Sequence, residues 1–374
     1  MNKKRENLIS IFSSIDDPRI DNHNKRHKLV DILVITLCAV ICGFEGWEEI
    51  EDFGEAKKDW FKTFLELPHG IPSHDTFRRV FMLINPLQFQ KSFAAWTNYL
   101  VDVINEVIAI DGKCSRGSSD LDNNKKAIQT VSAWANNKGL VLGQVQVDQK
   151  SNEITAIPEL LDMIDIKGAT ITIDAIGNQK NITEKIIDKN GDYVIALKKN
   201  QPTLYNEVKS FFEGAAENNF QDVEHTFYES IDEGHGRYEI RNYYQVNDIG
   251  FLNNKDEWKN LSSIIMVDTA VTHADKITNE KRYYISSLSG TAENSSNKIR
   301  AHWGIENKLH WSLDVVFNED NITKRARNSA ANMAIIRHMA VNLLRKETSL
   351  KRGVKRKKMF ACIDHEYLLK VIKG

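Results

Sequence analysis

Val107-Ile108-Ala109-Ile110-Asp111 and Thr170-Ile171-Thr172-Ile173-Asp174 are the stretches on which the fold turns. Each is an apolar, β-branched run that closes on an aspartate, the pattern of a buried strand ending at a sheet edge. Working outward, residues 127–136 and 139–148 have strand composition, and Asn136-Asn137-Lys138-Gly139 between them reads as a hairpin turn. A helix over Thr155 to Ile164 precedes the strand at 170–174. A helix over Asn178 to Lys189 and a strand over Asp192 to Leu197 follow it.

The order is therefore β-β-β-α-β-α-β, a three-stranded antiparallel meander followed by parallel crossovers. That is the order of the ribonuclease H-like fold, in which the first and fourth strands are neighbours. The expected fold class is α/β, with such a catalytic domain, an inserted β-rich subdomain and an all-helical N-terminal domain. The expected divisions are a helical region over 1–104, with possible DNA contact, and the first part of the catalytic core over 105–222. A β-rich insertion over 223–290, the second part of the core over 291–345 and a basic tail over 346–374 complete the chain. In the helical region, Leu29 to Gly43 is a compact apolar helix capped by Gly43, and Trp47 to Leu65 has amphipathic spacing. Ser73 opens a helix carrying Arg78 and Arg79, and residues 87–104 give one more. In the insertion, strands are expected around 225–228, 237–244, 264–267 and 282–285. A helix over Ser329 to Arg345 ends the core.

The chain has 374 residues, 41% hydrophobic and 27% charged, ordinary for a globular protein with a sizeable core. Its four cysteines are too few and scattered for a disulfide scaffold, and Cys38 and Cys42, one turn apart in an apolar helix, read as packing residues. This fits a cytoplasmic protein, as does the shortness of the apolar run Leu33 to Cys42. A formal net charge of −1 counts against a generic nucleic-acid binder. From Arg345 to Lys358, however, eight Lys/Arg accompany one Glu, either a solvated tail or a contact with a phosphate backbone. No phosphate-binding glycine loop for nucleotide hydrolysis is present.

Downstream lies His302-Trp303-Gly304-Ile305-Glu306-Asn307-Lys308-Leu309-His310-Trp311. Asp111 and Asp174 at strand ends and Glu306 on a late helix form a candidate carboxylate cluster. Such a cluster holds two divalent ions about 3.5–4 Å apart against a phosphodiester. Mg²⁺ prefers hard oxygen ligands and suits a sparse carboxylate site, with Mn²⁺ as a substitute. A zinc site is the rival, because His302, Glu306 and His310 follow one another at i+4. In an α-helix His302 and His310 stand about 12 Å apart along the axis, so they cannot share one ion. The histidines then read as surface or DNA-facing residues. Trp303 and Trp311 read either as core or as a platform for an unstacked base. Arg237, Glu239 and Arg241 alternate on one face of a strand, either a solvated outer face or a phosphate-contacting ribbon. Lys113 and Arg116 beside the first aspartate, and Lys198 and Lys199 at the same sheet edge, are candidate phosphate contacts, as are His302 and Lys308.

These residues closely resemble the H-repeat-associated insertion-sequence transposases, a branch of the Asp-Asp-Glu transposases. The resemblance runs through Asp111-Gly112-Lys113-Cys114-Ser115-Arg116-Gly117, Asp174-Ala175-Ile176-Gly177-Asn178-Gln179 and His302 to Asp320. It includes Gly143-Gln144-Val145, the stretch Lys150 to Pro158, and Gly70 to Phe77. It implies metal-dependent cleavage of DNA at element ends and strand transfer into a target, with Asp111, Asp174 and Glu306 as the triad. By analogy with related enzymes it implies double-stranded DNA, both terminal inverted repeats and target, as partner, and a homo-oligomer in the DNA complex. A catalytically inactive end-binding relic and a nuclease without a joining step are the other readings. Two departures stand out. Cys114-Ser115 replaces a Thr-Leu pair, and the positions where related transposases carry Tyr, Arg and Lys around the glutamate hold Ile299, His302 and Leu313.

Overall fold

Alternation along the first strand decides how the layers form. Ile108 and Ile110 point into one apolar core while Ala109 points into another on the opposite face. In the computed structural model, which describes residues 8–23, 25–119, 126–147, 152–234, 236–273, 276–323 and 326–373, nine strands make one sheet. They are β1 (Val107–Ser115), β2 (Ile128–Ala135), β3 (Leu140–Val147), β4 (Thr170–Ile173) and β5 (Asp192–Leu197), then β6 (Thr226–Gly234), β7 (Arg237–Val246), β8 (Ser263–His273) and β9 (Lys276–Ser286). Their order across the sheet is β3-β2-β1-β4-β5-β9-β8-β7-β6. The first and fourth strands are neighbours, paired in parallel, as the element order requires. The strands of the 223–290 region continue the same sheet, β9 pairing antiparallel with β5. Asp148 at the end of the expected third strand, and Lys150 and Ser151 of the motif that follows, lie outside the described residues.

Helices Glu153–Met163, Lys180–Asp188 and Pro202–Glu217 cover the face that receives Ile108, Ile110, Ile171 and Ile195. Fully burying an aliphatic side chain of this kind contributes about 1.5–3 kcal/mol. On the other face, β3 packs against helix Ser329–Lys346, whose residues from Ser329 to Leu344 are all buried. A helix buried all round needs neighbours on every side, and the N-terminal helices supply them. Helix Leu29–Cys42 lies directly against it, and Cys38 and Cys42 are buried in that contact layer.

Three local expectations change. The amphipathic stretch from Trp47 splits into helices Trp47–Ala56 and Lys58–Phe61, because the backbone of Lys57 leaves the helical region. Ser73 precedes helix His74–Leu83, but Glu51 takes the capping role: its carboxylate accepts from the His74 backbone N–H at 2.7 Å. The basic run does not end in a free tail: it leads into helices Val354–Ile363 and His365–Lys373. Ala361, Leu368 and Val371 anchor them in the core. Lys357 is buried and donates to the Leu344 carbonyl at 2.9 Å, satisfying the C-terminal end of the central helix. Among the described residues, no single helix is long and apolar enough to cross a membrane.

Candidate metal centre

The register of β1 against β4 assembles the site. Ala109 pairs with Thr172 and Ile110 with Ile173, so the next step sets Asp111 beside Asp174 on one face. On β5 the residue level with this pair is Ala196, which faces Tyr284 of β9. The small Ala196 leaves a cleft of about 260 Å³ lined by Asp111, Asp174, Lys198, Arg282, Trp303 and Glu306. Larger cavities lie elsewhere, about 840 Å³ beside Trp47 and Phe317 and about 630 Å³ along the β-ribbon. Neither contains the carboxylates.

Helix Ala292–His302 crosses the sheet and continues into π-helical segments over Ile305–His310 and Ser312–Val316. The Phe317 N–H bonds the Ser312 carbonyl five residues back at 3.1 Å, the widened turn of this helix type. Such turns are rare and concentrate at functional sites. Gly304 lets the segment approach the hairpin, since a Cβ there would lie 2.0 Å from Asn136 Oδ1. The result is that Asp111, Glu306 and His310 each offer one ligand atom within 4.8 Å of the others. Asp174 lines the same cleft but stands outside that closest group, and its Oδ1 accepts from the Ile176 N–H at 3.0 Å.

Burial dominates the electrostatics, and like charge adds to it. Burial, reinforced by Asp174, Glu306 and Glu153, pushes the Asp111 carboxyl up to about 7, against one backbone N–H bond that lowers it. His310 Nδ1 is 3.8 Å from Asp111 Oδ2, and its buried Nε2 has no hydrogen-bond partner. Burial holds that imidazole down to about 4, so it stays neutral and able to donate a lone pair. Hard carboxylate oxygens, an uncompensated buried acid and a neutral imidazole are a donor set that fits a divalent cation.

The structure thus brings Asp111, Asp174 and Glu306 to one cleft. It revises the zinc comparison, because His310 and Glu306 have a third candidate donor in Asp111, which the spacing argument did not supply. His302 lines the cleft and is held there, its Nδ1 3.1 Å from Thr172 Oγ1. Trp303 and Trp311 are exposed rather than core, and the Arg282 guanidinium lies 5.6 Å from the Trp303 ring centre. Lys113 is not a spare cation for a phosphate: it is nearly buried, paired to Asp314 at 2.6 Å with Glu319 and Asp320 close by. Arg241 is likewise corrected. Helix Ala292–His302 covers its face of β7, and Arg241 is buried between Asp232 and Glu239, 2.6 Å from the latter. Arg237 closes that network on Glu239 at 2.8 Å. Lys198, Lys199, Arg116 and Lys308 keep exposed side chains. Spacing arguments did not group His310 with Asp111 and Glu306, although its i+4 relation to Glu306 was the available signal. They also passed over Glu153, the acidic residue opening the helix after β3.

A family described as DDE_Tnp_1-associated matches residues 9–97, and one described as Transposase DDE domain matches residues 104–343. The chain belongs to the DDE-domain transposase family. It is 44% identical over 98% of both chains to a protein of Escherichia coli K12 named "H repeat-associated putative transposase YhhI". A 54-residue stretch is 59% identical to "Inactive transposase YbfQ" of the same organism, covering 14% of this chain and 64% of that one. Among solved structures, a piggyBac transposase synaptic complex with hairpin DNA aligns at TM-score 0.44 and 10% identity, over 97% of this chain and 79% of that one. The DDE-domain match spans all three carboxylates and ends within the central buried helix.

Proposed function

We propose that this protein is an active DNA transposase that cuts strands at the ends of an insertion sequence and joins them to target DNA. The observation that carries this reading is the convergence of Asp111, Asp174 and Glu306 in one cleft of a DDE-family chain. Among the described residues no lysine or arginine forms an ion pair with any of the three. The reading includes a ribonuclease H-like catalytic domain with the divisions set out from the sequence, and action in the cytoplasm on double-stranded DNA. It also includes assembly of more than one chain on paired element ends.

In this scheme the three carboxylates hold Mg²⁺, which supplies activation of the attacking oxygen and stabilisation of the leaving one. The chain's own residues position the DNA. Lys198 at the cleft, with exposed Lys199, Arg116 and Lys308 around it, neutralises phosphates. Trp303 offers its ring at the cleft mouth to an unstacked base, with Arg282 beside it. His302, tied to Thr172, packs the helix against the sheet so that Glu306 stays aimed at Asp111.

The test is cleavage of a plasmid carrying the DNA that flanks this gene, in Mg²⁺, Mn²⁺ or EDTA, by wild type and Asp174→Asn. The expected result is metal-dependent cutting at the flanking ends and transfer of 3′-hydroxyl ends to a second duplex. Asp174→Asn should lower the rate by at least ~10³-fold with folding unchanged. Equal cutting by the variant contradicts the assignment. A specific gel shift without any cutting by the wild type supports the inactive end-binding protein instead.

A further inference from the structure

Helix Ser329–Lys346 opens at the wall of the cavity of about 840 Å³, whose lining includes Glu45, Trp47, Arg78, Phe317, Ser329 and Lys358. The first N–H groups of a helix have no partner within it, and the aligned peptide dipoles leave a partial positive charge there. No side chain caps this one, and its first turn holds no acid. Asn328, which precedes it, has a helical backbone, and its amide donates instead to the Ile84 carbonyl at 3.1 Å. Asn332 donates to the Phe81 and Ile84 carbonyls at 2.9 and 3.0 Å. These bonds tie the helix start to helix His74–Leu83, which carries Arg78.

A second observation is independent of the dipole. Ser329 is 1% exposed, and among the described residues its Oγ has no hydrogen-bond partner. A buried hydroxyl in that position is costly unless a ligand entering the cavity meets it. Arg78 adds an exposed guanidinium with no hydrogen bond or ion pair among the described residues. The acids on the same wall are largely engaged. Glu45 pairs with Arg337 at 2.9 Å, and Glu49 accepts from the Gly46 and Glu45 N–H groups at 2.8 and 3.0 Å. Glu48 is exposed, where salt screens it.

Resting on the reading that this chain acts on DNA, we propose that the cavity is an anion site for one backbone phosphate of the bound duplex. Ser329 Oγ donates to it, the first turn of the helix faces it with its dipole, and Arg78 pairs with it. The cavity shares no lining residue with the carboxylate cleft. Arg78 lies in the first matched region and Ser329 in the second, so the site exists only where the N-terminal helices and the DDE domain meet. Such a contact fixes the duplex against that junction without reading its sequence.

The experiment follows binding of the full-length chain in EDTA to a fluorescent duplex of arbitrary sequence, by anisotropy across a salt series. Circular dichroism checks folding. Losing one phosphate contact lowers the slope of log K against log salt by about 0.9. Arg78→Gln should show that loss, with about ten-fold weaker binding at low salt. Ser329→Ala should weaken binding about three-fold at unchanged slope. Arg79→Gln should change neither, because Arg79 is absent from the cavity wall and donates to the Asp75 carbonyl at 3.2 Å. An unchanged slope in Arg78→Gln, or an equal loss in Arg79→Gln, overturns the inference. A second arm titrates the same proteins with inorganic phosphate, read by ³¹P line broadening, and both cavity variants should bind it more weakly than wild type. Weaker phosphate binding with wild-type duplex binding would give the site to a free phosphate and overturn its assignment to DNA. A wild type that binds no duplex at all would contradict the underlying reading, and the phosphate arm would then judge the cavity by itself.

Discussion

Two clusters of acids lie within a few residues of each other on β1 and are built on opposite electrostatic plans. At Lys113 the acids are matched. Lys113 pairs with Asp314, and Arg337 sits buried between Glu45 at 2.9 Å and Glu319 at 3.1 Å. At Asp111 burial, and after it the charges of Asp174, Glu306 and Glu153, push the carboxyl up to about 7. Buried charge survives where a counter-charge arrives with the fold. In the second cluster no lysine or arginine pairs with the acids among the described residues, and the proposed counter-charge is a divalent cation. Carboxylates alone therefore do not mark a site; carboxylates without cations do.

The matched cluster should break hardest. Arg337→Met leaves Glu45 buried without its ion-pair partner and Glu319 with only Lys113 at 3.8 Å, and the expected loss is about 3–5 kcal/mol in chemical denaturation. A change below ~1 kcal/mol would mean that the two clusters do not differ in kind.

The unmatched cluster should respond with the opposite sign. Asp111→Asn removes one of the repelling charges and is expected to raise the metal-free Tm. Because the folded pKa is raised from 3.8 to about 7, the wild type loses stability as pH rises through that interval. Above pH 7 the full difference is present, at most about 4 kcal/mol at 1.36 kcal/mol per unit. A scanning-calorimetry series from pH 4 to 8 should show the variant gaining over wild type as pH rises. A variant less stable at pH 8 contradicts the repulsive plan. Saturating Mn²⁺ should stabilise wild type and leave Asp111→Asn nearly unmoved.

A smaller effect sharpens the boundary between the clusters. His338, packed against Phe93 in the central helix, is held down to about 3 by burial and by the nearby His310, Arg337 and Lys113. As pH falls below 6.5 the unfolded chain takes up the proton first, so this residue erodes stability between 6.5 and about 3. His338→Leu should flatten that part of the acid limb in urea-melt midpoints. An unchanged limb would assign the acid sensitivity to the carboxylates alone.

Strand-end aspartates and element order were legible because apolar runs of period-2 chemistry leave few alternatives. From them followed the adjacency of β1 and β4. Glu306 was legible through its motif, but its reach was not. An α-helical ruler separates His302 from His310 but already makes Glu306 and His310 neighbours; the segment Ile305–His310 is π-helical, and both of these residues meet Asp111 there. Nothing local in the sequence announces that change of pitch. The alternating charges of β7 suggested an exposed ribbon. Their burial depends on helix Ala292–His302, some fifty residues on, folding back across them. The basic C-terminal segment was misleading for a related reason. Lys357 and Lys358 find carbonyl partners in Leu344 and Val316, which no count of charge along the chain reveals. Lys113 likewise meets its acids from two hundred residues away.

The most direct measurement is an anomalous difference map from crystals of the protein grown with Mn²⁺. The expected result is density in contact with the carboxylates of Asp111 and Glu306, extending to Asp174, inside the cleft beneath Trp303. An empty cleft, or Mn²⁺ held elsewhere on the chain, would contradict the claim that these unpaired acids are a metal centre.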